Sequence, residues 1–271
     1  MSLVTSDWLE KNLNEVKILD CSWHMPGIDR DSYKEYSKNH IPGAIFFDLD
    51  ENSEKNTELP HMLPTKERWE KIISSLGISN KDKVIIYDNS DVLSSCRGWY
   101  SFIYFGHNKE QVSVLDGGLK KWLKEKKITT NKTTKIIRSN YKAKENKHLV
   151  KSIKEINVNI KENNFKVIDA RSRERFEGSE PDPRKNVKSG SIPNSVCLPF
   201  KEIINTDDNT FKNKEEILIK FNEIIDFNEH KRVFSCGSGI TACVLSLAYS
   251  LVNNKYSPTV YDGSWAEYGR T

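Results

Sequence analysis

The 271 residues carry 42 Lys and Arg against 38 Asp and Glu, a net charge of +4, with 37% hydrophobic and 10% aromatic residues. That length and balance suit one or two globular domains, each able to bury its own core. The lysines are interleaved with acids. The one basic run, Lys120 to Lys147, has only Trp122 and Tyr141 as aromatics and lacks the aromatic interleaving of a nucleic-acid surface, so no nucleic-acid partner is expected and the run reads as a solvated connector.

Taken in chain order, Thr5-Ser6-Asp7 ahead of Trp8-Leu9 predicts a helix N-cap, and Val16 to Ser22 a short strand closing on Asp20. His40-Ile-Pro-Gly follows a polar helix and leads into a strand running toward Asp48-Leu49-Asp50. Pro64-Thr65 opens a helix carrying Trp69, Ile72, Ile73 and Leu76 that stops at Gly77. Lys83 to Asp88 is a continuous apolar run of the kind a buried parallel strand uses. A helix from Gly98 to Phe105 follows, then Val112 to Trp122 as strand, glycine turn and helix.

The same order then returns. Phe165 to Arg171 matches the strand ending at Asp20, and Gly190 to Phe200 matches the His40-Ile-Pro-Gly segment. Lys231 to Cys236 matches the strand ending at Asp88, and Thr259 to Tyr268 matches Leu115 to Trp122. Four landmarks in one order predict two copies of one α/β domain, each a mostly parallel central sheet flanked by helices. The first copy spans 1–123, a connector 124–147 and the second copy 148–271.

The second copy differs from the first at one turn. Arg232 to Ser235 is a short strand, Cys236-Gly237-Ser238-Gly239-Ile240-Thr241 a loop, and the residues after it an apolar helix. A cysteine under a helix N-terminus, ringed by backbone N–H groups that glycines leave open, is placed to hold a thiolate. A small buried cysteine in a strand–helix turn is the other reading of the same position. The first copy has Asp88 there, so a single nucleophile in the second copy is the economical arrangement.

The five cysteines, at 21, 96, 197, 236 and 243, form no ligand spacing and are odd in number, which predicts free thiols, no metal site and a reducing, cytoplasmic setting. No apolar run reaches membrane-spanning length and the N-terminus lacks the pattern of a signal peptide, so no membrane partner is expected.

The tandem copies, the Ile-Pro-Gly and Asp262-Gly-Ser-Trp265 landmarks, His61-Met-Leu-Pro64, Asp169-Ala-Arg171, Glu174-Arg175-Phe176-Glu-Gly178 and Glu180-Pro181 together resemble the rhodanese superfamily of sulfurtransferases. The loop Cys236-Gly-Ser-Gly-Ile-Thr-Ala is similar to that of the branch acting on 3-mercaptopyruvate. The resemblance implies an enzyme without cofactor: Cys236 takes sulfur from 3-mercaptopyruvate as a persulfide, releases pyruvate, and passes the sulfur to cyanide or a thiol acceptor such as thioredoxin. It also implies a proton relay from Ser238 supported by Asp50 and His61. Arg171 and Arg175 would anchor the substrate carboxylate and keto group, and Gly237, Gly239, Ile240 and Thr241 would form the rest of the substrate cradle, with Thr241 capping the helix. A monomer is expected. One departure is Gly190-Ser-Ile-Pro-Asn, where the family has Gly-His-Ile-Pro-Gly; the position is structural.

The residues speak against three rivals. A thiosulfate sulfurtransferase of the same fold carries basic residues directly after its cysteine, whereas Gly237 and Ser238 are neutral. A cysteine phosphatase needs an arginine closing its loop, and Gly237 to Ala242 contains none. A non-catalytic rhodanese-like binding module usually lacks the cysteine that this chain keeps.

Overall fold

In the computed structural model, residues 2–225 and 231–270 are described. They fall into two compact units: Met1–Glu54 with Leu63–Asn146 and Thr206–Thr210, and Lys55–Met62 with Lys147–Asn205 and Phe211–Thr271.

The first unit is built on strands β1 (Leu3–Val4), β2 (Lys17–Asp20), β3 (Ala44–Phe46), β4 (Val84–Tyr87) and β5 (Val112–Leu115). All pair in parallel, in the order β1-β5-β4-β2-β3. Every residue of β4 is buried, which is why its sequence is apolar without alternation. Helices α1 (Ser6–Asn12), α2 (Ser32–Lys38), α3 (Lys66–Ser75), α4 (Ser95–Tyr104) and α5 (Gly118–Lys124) cover the sheet. Leu9, Ile18, Ile85, Tyr87, Leu115 and Trp122 form one core, while Trp69 of α3 stacks on Phe105 at 4.7 Å. Thr5 and Thr65 cap α1 and α3 with their hydroxyls, as the sequence suggests.

Two expectations fail here, each for a tertiary reason. Helix α4 begins at Ser95, three residues before Gly98, because the Asp88 carboxylate accepts the Ser95 amide at 2.8 Å and the Ser90 amide at 2.9 Å. Gly98 lies inside the helix, where a Cβ would come within 2.8 Å of Cys21 Sγ; the glycine lets α4 sit close on the sheet. The stretch 124–147 is no solvated connector over its length. Thr130 pairs with His40, Thr134 Oγ1 donates to the Ala44 carbonyl at 2.7 Å, and Tyr141 and Ala143 are buried.

The second unit repeats the plan with β6 (Val150–Lys151), β7 (Phe165–Asp169), β8 (Val196–Cys197), β9 (Lys231–Ser235) and β10 (Val260–Tyr261), all parallel in the order β6-β10-β9-β7-β8. Position for position this is the order of the first sheet, with β9 central where β4 is central. Helices α6 (Ile153–Glu162), α7 (Arg173–Glu177), α8 (Lys214–Asn222), α9 (Thr241–Val252) and α10 (Ser264–Tyr268) complete it. Reciprocal capping boxes, Ser152 with Glu155 and Asn213 with Glu216, start α6 and α8. Residues Ala242 to Tyr249 of α9 are all buried, the reason this helix is apolar on every side.

Candidate active site

Cys236 is the first residue past β9, and the loop it opens runs to Ile240 before α9. The cysteine is buried, and Gly239, at φ +80, turns its N–H onto Cys236 Sγ at 3.1 Å. The left-handed conformation is the one glycine adopts without a Cβ penalty, so the residue that aims the amide is also the residue that allows the turn. The loop backbone is tied to the turn after β10: Cys236 N–H donates to Ser264 Oγ at 3.1 Å, Trp265 N–H to the Cys236 carbonyl at 2.9 Å, and Ala266 N–H to the Gly237 carbonyl at 2.9 Å. Ile240 is the N-cap of α9 and Thr241 its first helical residue, with no side-chain cap bond. The expectation that Thr241 caps the helix is therefore corrected: the helix starts at that residue, leaving its hydroxyl one position too late. The Cys243 thiol donates to the Gly239 carbonyl at 3.1 Å within the core.

Ser238 Oγ lies 2.9 Å from His61 Nδ1, and both side chains are buried. The sequence reading ascribes His61 to the first copy; the structure groups Lys55–Met62 with the second unit. Asp50 lies in the first unit, exposed, with Oδ2 accepting from Trp23 Nε1 at 3.0 Å.

The arginines divide differently from the expectation. Arg171 Nε lies 3.0 Å and Nη2 2.7 Å from Asp169 Oδ2, Nη2 also donates to the Gly190 carbonyl at 2.8 Å, and the guanidinium lies 4.6 Å from the Trp265 ring centre. Its fork is occupied by a carboxylate of the chain itself, a bond that braces the frame rather than one aimed beside Cys236. The sequence reading missed Arg184. Built on Gly237, a Cβ would come within 3.2 Å of Arg184 Nη2 and 3.8 Å of Arg175 Nη2, so both guanidiniums lie beside the residue after the nucleophile. Asp182 holds the pair, with Oδ2 2.6 Å from Arg175 Nη2 and Oδ1 3.2 Å from Arg184 Nη1. Burial alone pushes the Asp182 carboxyl up, but the Arg184 amide and the two guanidiniums outweigh it and hold the group below the ordinary carboxylate range. Arg175 Nε makes no hydrogen bond among the described residues. The available signal was Asp182-Pro183-Arg184, directly after Glu180-Pro181.

The rhodanese-like domain family matches residues 5–125 and again 152–271. This chain belongs to the rhodanese family. A mitochondrial thiosulfate/3-mercaptopyruvate sulfurtransferase of Arabidopsis thaliana is 40% identical over 292 residues, covering 98% of this chain and 75% of the relative. The human 3-mercaptopyruvate sulfurtransferase is 35% identical over 276 residues, covering 98% and 91%. The solved structure of SseA from Escherichia coli, described as a 3-mercaptopyruvate sulfotransferase, superposes with a TM-score of 0.87 at 30% identity, covering 98% of this chain and 100% of the other.

Within this rhodanese pair the two central turns carry different side chains at one place in the fold. In the first, Asp88 fills the helix N-terminus with a carboxylate bonded to two amides. In the second, the sulfur of Cys236 faces the loop amide. Two other thiols are poor nucleophiles by environment: burial and then Asp169 push Cys197 up to about 12, and burial with Asp20 and Asp88 raises Cys21 well above its ordinary value. Among the described residues no cluster of His, Cys, Asp and Glu is placed to hold a metal ion.

Proposed function

We propose that this sulfurtransferase draws sulfur from 3-mercaptopyruvate onto Cys236. The observation that carries the reading is the pair of guanidiniums, Arg175 and Arg184, held by Asp182 beside Gly237. Two planar donor forks next to a nucleophile suit an α-keto carboxylate, which offers carboxylate and keto oxygens to different partners. The Cys236 thiolate attacks the thiol sulfur of the donor; an S–S bond forms, the C–S bond breaks, and the electron pair leaves on carbon as the pyruvate enolate. The donor's own thiol proton, carried through Ser238 and His61, reaches that carbon, so the persulfide stays anionic beside the Gly239 amide. A thiol acceptor then attacks the outer sulfur and restores Cys236. Asp50 as a further support of the relay rests on the resemblance alone.

The arginine pair also offers charge to thiosulfate, but no cation stands on Gly237 or Ser238 within the loop itself, which sets the keto acid first. Side-by-side assays of pyruvate and sulfite release test this: the former exceeds the latter in kcat/KM by at least about a hundredfold, the weight of roughly 3 kcal/mol in differential binding. Comparable efficiencies on the two donors sink the reading. A thioredoxin-type dithiol is proposed as acceptor, supported by the family's chemistry, with the chain acting as a monomer. The five free thiols support a reducing compartment, proposed as the cytoplasm; a tagged protein found in mitochondria, the location named for the Arabidopsis relative, replaces that part of the reading.

A further inference from the structure

Ser264 occupies a backbone conformation that serine adopts reluctantly. Its φ of +49 lies in the left-handed region, where a residue without Cβ is at ease. The side chain is fully buried and its hydroxyl is engaged on both sides: Oγ accepts the Cys236 N–H at 3.1 Å and donates to the Tyr261 carbonyl at 2.8 Å. The next amide, of Trp265, donates to the Cys236 carbonyl at 2.9 Å. Two successive residues thus grip both peptide groups of the nucleophile.

The other copy of the domain provides an internal comparison. In its corresponding turn, Asp116-Gly117-Gly118-Leu119, the matching residue is Gly118 at φ +54, and Leu119 N–H donates to the Asp88 carbonyl at 2.9 Å. The backbone sign and the grip on the carbonyl are the same, but the residue is the one the conformation favours. A Cβ there would run into the Asp88 carbonyl. The copy without a nucleophile uses glycine; the copy with one keeps a strained serine and gains an acceptor for the nucleophile's amide. Strain of this kind persists where surrounding structure holds it for a purpose.

We infer that Ser264 is a positioning residue for Cys236: its hydroxyl anchors the nucleophile's amide so that Sγ stays on the Gly239 N–H. The inference deepens the persulfide reading above and rests on it. The test compares wild type with Ser264→Gly, which relieves the strain, and Ser264→Ala, which keeps the Cβ. Both variants lose the acceptor. Single-turnover persulfide formation falls at least about tenfold in each, as expected for a displaced nucleophile, while half-saturation by 3-mercaptopyruvate stays within about twofold of wild type. Amide hydrogen exchange at Cys236, a readout that needs no donor, speeds up in both. A folded Ser264→Gly that loads sulfur at the wild-type rate overturns the inference, because glycine then serves the catalytic turn as well as it serves the other copy. Unchanged exchange at Cys236 in either variant overturns it too. Failure of wild type to load sulfur at all would strike the persulfide reading instead, and the exchange measurement would still decide the role of Ser264.

Discussion

Replacing Asp182 by Asn isolates what the arginine pair contributes. The carboxylate is almost wholly buried and bonds Arg175 Nη2 at 2.6 Å, Arg184 Nη1 at 3.2 and 3.3 Å, and the Arg184 amide at 3.0 Å. Asparagine keeps the shape and an acceptor for the amide but removes the charge that both guanidiniums face. Two effects then compete. The freed cations offer more net charge to an anionic donor, yet each arginine regains rotamer freedom worth about 2 kcal/mol, and each lost charge-assisted bond is worth about 1.5 kcal/mol or more. Because the guanidiniums are partly exposed, water screens the added charge while the loss of orientation stands, so orientation wins. The net loss is about 3 kcal/mol in donor recognition, or about a hundredfold in kcat/KM. It falls mainly on KM, since the pair binds ground and transition state alike. Pyruvate release under steady-state conditions, with circular dichroism to confirm folding, reads it. A folded Asp182→Asn with kcat/KM within threefold of wild type would refute the reasoning and reduce Asp182 to a brace.

Removing the Ser238 hydroxyl breaks its contact with His61; Ser238→Ala slows persulfide formation by about a hundredfold, within the range of lost general acid–base catalysis. Discharge of the preformed persulfide by cyanide needs no proton and changes little, so equal slowing of both half-reactions in rapid-quench experiments would place the serine outside the relay. His61→Gln, removing the imidazole that faces Ser238, gives the same split with a loss of similar size, and an unchanged loading rate removes the histidine. In the first unit, burial raises the Asp20 carboxyl from 3.8 to about 6 against the bonds from Ser22 that lower it. A carboxyl raised in the folded state binds its proton more tightly there, so the stability it contributes is present below about pH 4 and lost as pH rises through about 6, by about 3 kcal/mol in all. Asp20→Asn removes this dependence: urea unfolding should show its stability relative to wild type improving between pH 4.5 and 7.5, and a constant difference across that range counts against a charged Asp20 at neutral pH.

What the sequence made legible was local. Short apolar runs ending on Asp20, Asp88, Asp169 and Cys236 exposed the repeat, and the two parallel sheets follow from it in the same strand order. The cysteine loop was legible because glycines and the apolar helix after it leave one geometry for the turn. What stayed hidden was which partner each polar group takes and which way it then points. Both Arg171 and Arg184 are cations near acids in the sequence, and only the folded chain shows that Asp169 claims the first while Asp182 turns the second toward Gly237. The early start of α4 depends on the Asp88 carboxylate seven residues away, and the bond that the Tyr141 N–H donates to Ser74 Oγ spans 67 residues. No periodicity carries such contacts. The Thr241 error is smaller and of the same kind: a hydroxyl near a helix start was read as a cap, and the true boundary lay one residue earlier.

The central claim is that Cys236 carries the sulfur. Intact-mass and peptide mass spectrometry after incubation with 3-mercaptopyruvate tests it most directly. The account predicts an adduct of about 32 Da, one sulfur atom in covalent linkage, on Cys236 of wild type and none on Cys236→Ser. An unmodified wild type, or the same adduct on Cys236→Ser, would contradict it.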